Sequence, residues 1–125
     1  MKRWLWALVV ILICAAPTAA LARVGVSGAA KGPLVRGALG AGAPRQCSAA
    51  YISSIDKSWA VVFYKPAKGW GARCRTFRKS AWTALRHTRG RWRTFQTGDS
   101  DACVAVHVPV AIRKDLQIPC FRLLP

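Results

Sequence analysis

Four cysteines constrain this chain more than any other feature: Cys47, Cys74, Cys103 and Cys120. A fifth, Cys14, lies in the opening stretch MKRWLWALVVILICAAPTAALA, which has the form of an export leader. Lys2 and Arg3 make its positive start, Trp4 to Ala16 its apolar run, and Ala20-Leu21-Ala22 the small-residue pattern before a cleavage site. Cleavage is expected after Ala22. The apolar run falls short of the roughly 20 residues that span a membrane. Cys14 is a poor candidate for lipid attachment, because that needs a small residue before it and Ile13 stands there. An even number of cysteines in an exported chain of 103 residues, 22 fewer than the 125 given, reads as two disulfides. Three pairings are possible. The local one, Cys47–Cys74 with Cys103–Cys120, is favoured because each bridge closes a loop that a small fold holds weakly, stabilising it by roughly 3 kcal/mol. Zinc sites use close pairs such as C-x2-C, and this chain has none, so no metal and no cofactor are expected.

The secreted or periplasmic setting that the leader implies limits what the charge can mean. Without Lys2 and Arg3, the 20 basic residues fall to 18 against four Asp, a balance of +14. Such an excess favours anionic surroundings: nucleic acid, anionic polymers or lipid headgroups. The plain alternative is a solvated surface with no ligand. Sequence-specific nucleic-acid binding is disfavoured, since no recognised DNA- or RNA-binding motif is present and the leader carries the protein away from the genome.

Residues 23–46, RVGVSGAAKGPLVRGALGAGAPRQ, are rich in Gly and Ala and hold no aromatic residue. They read as a flexible basic linker, with the folded unit at 47–125. YISSI (51–55) alternates like a strand, and DKS (56–58) turns the chain. WAVVFYK (59–65) is a continuous β-prone run, expected as a central strand covered on both faces. TFRKSAWTALRH (76–87) also fits one helical face, but the RG and RWRTFQT that follow favour a short turn near 76–80, then strands at about 82–87 and 91–97. In HVPVAIRKDLQIPC, Pro109 suits a first helical turn, Pro119 stops the run, and Val108, Ile112 and Leu116 are spaced for one apolar face. The expected class is α+β: a small antiparallel sheet of three to four strands with one C-terminal helix, held by disulfides.

WAVV at 59–62, RGRWRTFQTG from Arg89 and CVAVHVPVAIRKDLQIPC at 103–120 together resemble small exported domains of actinobacterial genomes. Those share a Trp-Ala strand, a G-x-W hairpin and a Cys, Val-Pro, Asp-Leu, Cys tail. The resemblance covers roughly 47 to 120 and implies an exported, disulfide-bonded domain. The relatives are of unknown function, so no catalytic residue follows from it. The basic run between Arg73 and Arg93 departs from their pattern.

That run, RCRTFRKSAWTALRHTRGRWR, packs eight cations into 21 positions: Arg73, Arg75, Arg78, Lys79, Arg86, Arg89, Arg91 and Arg93. Its register is open. A two-residue Arg89-Gly90 turn sets Arg86 opposite Arg93, whereas a three-residue loop with Gly90 left-handed sets Arg86 opposite Trp92. Trp70, between glycines, and Trp82 are candidate aromatic anchors for a partner. No esterase elbow, zinc-protease, phosphate-loop or dinucleotide motif is present. One enzymatic alternative remains, a ribonuclease using His87 and His107 as base and acid. A protein inhibitor or adaptor module is another. The favoured reading is a monomeric, non-enzymatic binding domain whose basic face takes an anionic envelope polymer or an acidic protein.

Overall fold

Every second side chain of a strand points to the same face, so a run that is apolar at every position must be covered twice. Trp59–Tyr64 is such a run, and the computed structural model, which describes residues 22–99 and 107–119, places it third in a five-stranded antiparallel sheet. The strands follow one another in sequence order: β1 (Val24–Val26), β2 (Ser48–Ile52), β3 (Trp59–Tyr64), β4 (Trp82–Thr88) and β5 (Arg91–Gly98). Three helices accompany them: α1 (Lys31–Leu39), α2 (Gly71–Cys74) and α3 (Val110–Leu116). Ala60 and Val62 of β3 pack with Leu34, Val35, Ala38 and Leu39 of α1 and with Leu85 of β4. Trp59 and Val61 pack with Ile112 and Leu116 of α3, with Val108 and Ile118 beside it, and with Trp82 and Ala84. Helix, sheet and helix therefore make three layers.

The expected three to four strands and single helix are corrected to this larger set, and most of the difference comes from residues 23–46. They are not a linker. Leu34, Val35, Ala38 and Leu39 recur at helical spacing and are buried, so a stripe without aromatic residues still covers one sheet face. Small residues let α1 sit close. A Cβ on Gly37 would lie 2.9 Å from the Trp92 carbonyl oxygen, and the Thr94 hydroxyl donates to the Gly37 carbonyl at 2.6 Å. Lys31 donates from Nζ to the Ser48 carbonyl, and burial, with Arg45 nearby, lowers its pKa. Arg23 reaches across the sheet instead. Its guanidinium lies 3.7 Å from the centre of the Tyr51 ring and donates to the Leu116 carbonyl at 2.8 Å, meeting the negative end of α3.

β2 begins and ends three residues earlier than the expected 51–55 strand, because Ser53 and Ser54 are used in a turn. The Ser53 hydroxyl accepts from the amides of Ile55 and Asp56, and Asp56 accepts from the amide and hydroxyl of Ser58. Asp115 of α3 fastens the helix to this turn. Its carboxylate accepts from the hydroxyls of Ser53 and Ser54, both at 2.7 Å, and from the Ser54 amide at 2.8 Å. Burial alone raises the carboxyl pKa; the hydrogen bonds outweigh it and hold Asp115 below the usual carboxylate value.

Cys47, immediately before β2, is bridged to Cys74 of α2, and both are fully buried. The second expected bridge, Cys103–Cys120, lies outside the described residues, as does the leader up to residue 21. Among the described residues no helix is long and apolar enough to cross a membrane.

Two outcomes are expected. Leu34→Ala should lower unfolding stability in chemical denaturation by about 2–5 kcal/mol, as for a fully buried leucine; a loss under about 0.5 kcal/mol, the ordinary surface range, contradicts α1 as a core element. Asp115 has a folded-state pKa below its unfolded one, so its contribution is present above the ordinary carboxylate range and is lost as pH falls through the lowered value. The stability difference between the protein and Asp115→Asn, followed by urea unfolding from neutral to acid pH, should shrink accordingly.

Candidate anion-binding site

The β4–β5 hairpin carries half of the basic run, and its turn decides which way those side chains point. Arg89 and Gly90 have φ of 51° and 76°, the two positive values that a two-residue hairpin turn of the primed type requires. Arg86 therefore pairs with Arg93, His87 with Trp92 and Thr88 with Arg91. Further along, Ala84 pairs with Gln96 and Leu85 with Thr94, leaving Phe95 as the extra residue of a bulge. The three-residue alternative is excluded.

On the α3 side, Trp59 is buried beneath two exposed side chains. The Arg86 guanidinium lies 4.9 Å from its ring centre, and Phe95 meets it edge-on at 4.8 Å. The arginine contact contributes about 0.5–1 kcal/mol where solvent reaches it. Arg93 stands directly across the strands from Arg86, and two like charges so placed repel. Asp56 is the acid that feels Arg86. Its carboxyl is held below the usual range by hydrogen bonds from Ser58, with Arg86 adding to them. Among the described residues, none of Arg86, Arg89, Arg91 and Arg93 forms an ion pair.

The other four cations go elsewhere. Arg73, on α2, lies over the Trp70 ring at 5.1 Å. Arg75 is exposed in the short turn of helix Arg75–Phe77. Arg78 lies over Tyr64 at 5.5 Å, and Lys79 is exposed with its Nζ near Gly40. Tyr64 and Trp59 close opposite ends of β3, which puts about 16 Å of strand between the two groups. Among the described residues the eight cations of the run are therefore divided and do not form one continuous patch.

Trp82 is no partner anchor. It is 1% exposed and packs so tightly on Gly98 that a Cβ there would come within 2.3 Å of its ring. Its Nε1 is buried and has no hydrogen-bond partner among the described residues. Trp70 is half-buried against the α1 core with Arg73 over it, so less of its ring is free than a loop position suggests.

The α1 side of the hairpin holds a feature that the residue run did not reveal. Pro33, Arg36 and Gly37 of α1 face His87, Gly90, Arg91 and Trp92 across a cleft of about 610 Å³. The His87 and Trp92 rings meet edge to face at 5.0 Å. Arg36 belongs to the segment read as a linker; the helical spacing around it was the available signal. His87 thus lies on the α1 face. The His107 amide is tied to Gln96 Oε1, and Gln96 pairs with Ala84 on the α3 face. The two histidines belong to opposite faces of the sheet, and the paired acid–base arrangement of a ribonuclease is not assembled from them.

Comparison with protein-family models, with curated proteins and with solved structures gives no match to this chain.

The Arg86–Arg93 pair has a measurable consequence. Arg93→Gln should raise unfolding stability at low ionic strength by about 0.2–1 kcal/mol, with the gain shrinking as salt screens the pair. No gain at low salt removes the repulsion argument.

Proposed function

We propose that the protein is an exported, non-enzymatic, monomeric binding domain whose β4–β5 hairpin holds an anionic surface polymer. The observation that carries this reading is the hairpin itself: Arg86 and Arg93 are paired against their mutual repulsion, Arg89 occupies the tip and Arg91 the flank. A polyanion threading past the hairpin relieves that repulsion by neutralising both charges at once, and releases its own counterions as it does so. Arg36 adds a further cation on the α1 side of the same hairpin.

A protein partner is the weaker fit. Protein interfaces have an apolar, well-packed centre. The large exposed apolar side chains among the described residues, Val24, Ile55, Phe95 and Val110, sit on β1, the β2–β3 turn, β5 and α3 and are divided among four places. The export setting rests on the leader, and it favours envelope polymers over intracellular nucleic acid.

The test is a salt titration of the oxidised, full-length secreted protein against a phosphate-rich cell-wall polymer, anionic vesicles, RNA and an acidic protein in parallel. Pure counterion release makes log affinity fall linearly with log salt, with a slope near one for each phosphate neutralised. Binding to the wall polymer that alone persists at physiological salt, and that the triple change Arg86→Gln, Arg91→Gln, Arg93→Gln reduces by about tenfold or more, is the expected result. Release of every ligand well below physiological salt overturns the reading, and so does retention of the acidic protein alone.

A further inference from the structure

We propose that a second anion-binding surface surrounds Trp70 and Tyr64, and that with the hairpin it lets one molecule bridge two strands of the polymer. The cations of this surface are placed by what they rest on. The Arg73 guanidinium lies 5.1 Å from the Trp70 ring centre, and that of Arg78 lies 5.5 Å from the Tyr64 ring centre. The Lys79 Nζ stands 4.0 Å from where a Cβ on Gly40 would lie, at the end of α1. Trp70 and Tyr64 both pack against the core on the α1 side of the sheet, so these charges share that side. A guanidinium laid on a ring keeps its N–H edge in water, where a phosphate can take it. Arg75 is exposed just after Cys74 and adds a fourth cation. Among the described residues no ion pair neutralises any of the four, and the sequence holds no acid between residues 57 and 98. Arg73 and Arg75 flank a cysteine that is bridged to Cys47, so the segment carrying them is tied to the sheet.

The hairpin group lies behind this one. Arg86 rests on Trp59, which belongs to the core on the α3 side, and Arg93 stands opposite Arg86. Trp59 and Tyr64 close opposite ends of β3, about 16 Å apart along the strand. The two cationic groups therefore occupy opposite faces as well as opposite ends. The screening length at physiological salt is about 8 Å, half that separation, so neutralising one group leaves the other free to bind. A polymer strand running along one face meets one group only, with the sheet between it and the other. Two independent surfaces of the same chemistry on one monomer make a cross-link. The surface around Trp70 is the weaker of the two, because no pair of its cations is forced together as Arg86 and Arg93 are.

That the bridged strands are an anionic envelope polymer rests on the proposed function; the separation of the two cationic groups does not. The experiment immobilises poly(glycerol phosphate), loads the oxidised, full-length secreted protein at physiological salt, and then offers fluorescent poly(glycerol phosphate) in solution. Bound protein should capture the label. The double change Arg73→Gln, Arg78→Gln should leave the protein on the immobilised polymer, with affinity down no more than about threefold. It should nevertheless cut captured label about tenfold or more, with the fold unchanged by circular dichroism. The charge-matched double change Arg113→Gln, Lys114→Gln, on α3, should keep the capture. Bound protein that captures no label overturns the bridge and leaves the hairpin reading standing. Normal capture by the Arg73, Arg78 variant also overturns it, and so does an equal loss in the Arg113, Lys114 variant, which makes net charge the cause. Protein that fails to load on the immobilised polymer at all sinks the proposed function, and the bridge with it.

Discussion

Burial of both faces of β3 is the requirement that organises the rest of the chain. Ala60 and Val62 look to one side, Trp59 and Val61 to the other, and neither set is polar enough to remain in water. The two covers come from opposite ends of the sequence, α1 before the sheet and α3 after it. Each is short, so each is fixed by specific contacts. Gly37, Thr94 and Lys31 seat α1, while Asp115 and Arg23 seat α3. The disulfide between Cys47 and Cys74 then joins the entry to β2 with α2, which follows β3. In a domain of this size such ties add substantially to a core that alone stabilises by only a few kcal/mol.

A fold with so few acids has to place its cations rather than pair them. Several lie over aromatic rings: Arg23 on Tyr51, Arg73 on Trp70, Arg78 on Tyr64 and Arg86 on Trp59. A guanidinium so placed covers apolar surface and keeps its hydrogen-bonding edge in water. The hairpin is the exception to this dispersal. Arg86 and Arg93 face one another, Arg89 adopts a left-handed conformation at the tip, and Arg91 pairs with Thr88 on the same face as Arg86 and Arg93. The two sides of the same hairpin then differ in kind. One is a cationic surface resting on Trp59 and Phe95, the other a cleft walled by α1.

Much of this was legible in the residues, and the failures have physical causes. The apolar run at β3, the hairpin bracketing Arg89-Gly90 and the helix between Pro109 and Pro119 each carry a strong local signal, and each is present. α1 was missed because its buried face is built from Leu, Val and Ala among glycines, a composition shared with linkers; only the spacing of Leu34, Val35, Ala38 and Leu39 distinguished it. β2 was displaced because Tyr51, Ser53 and Ile55 are spaced for one face of a strand, yet Ser53 and Ser54 bond Asp115, 62 and 61 positions away in the chain. Trp82 was misjudged because nothing near it in sequence announces that Gly98 provides the space for its ring.

The sequence by itself determined the charge, the disulfide-bonded character and the doubly covered central strand, since composition and short-range periodicity carry those. It also pointed to export, through a leader that lies outside the described residues. Tertiary structure alone decided the hairpin register, the division of the basic run between two ends of the sheet, and the meeting of Arg36 with His87, Arg91 and Trp92. The reason is the period of two in a strand. A slip of one residue exchanges every side chain between faces, and the conformation of two turn residues chooses between the alternatives. Only when α1 is seated against that chosen face do residues fifty-five positions apart, Arg36 and Arg91, come to line one cleft.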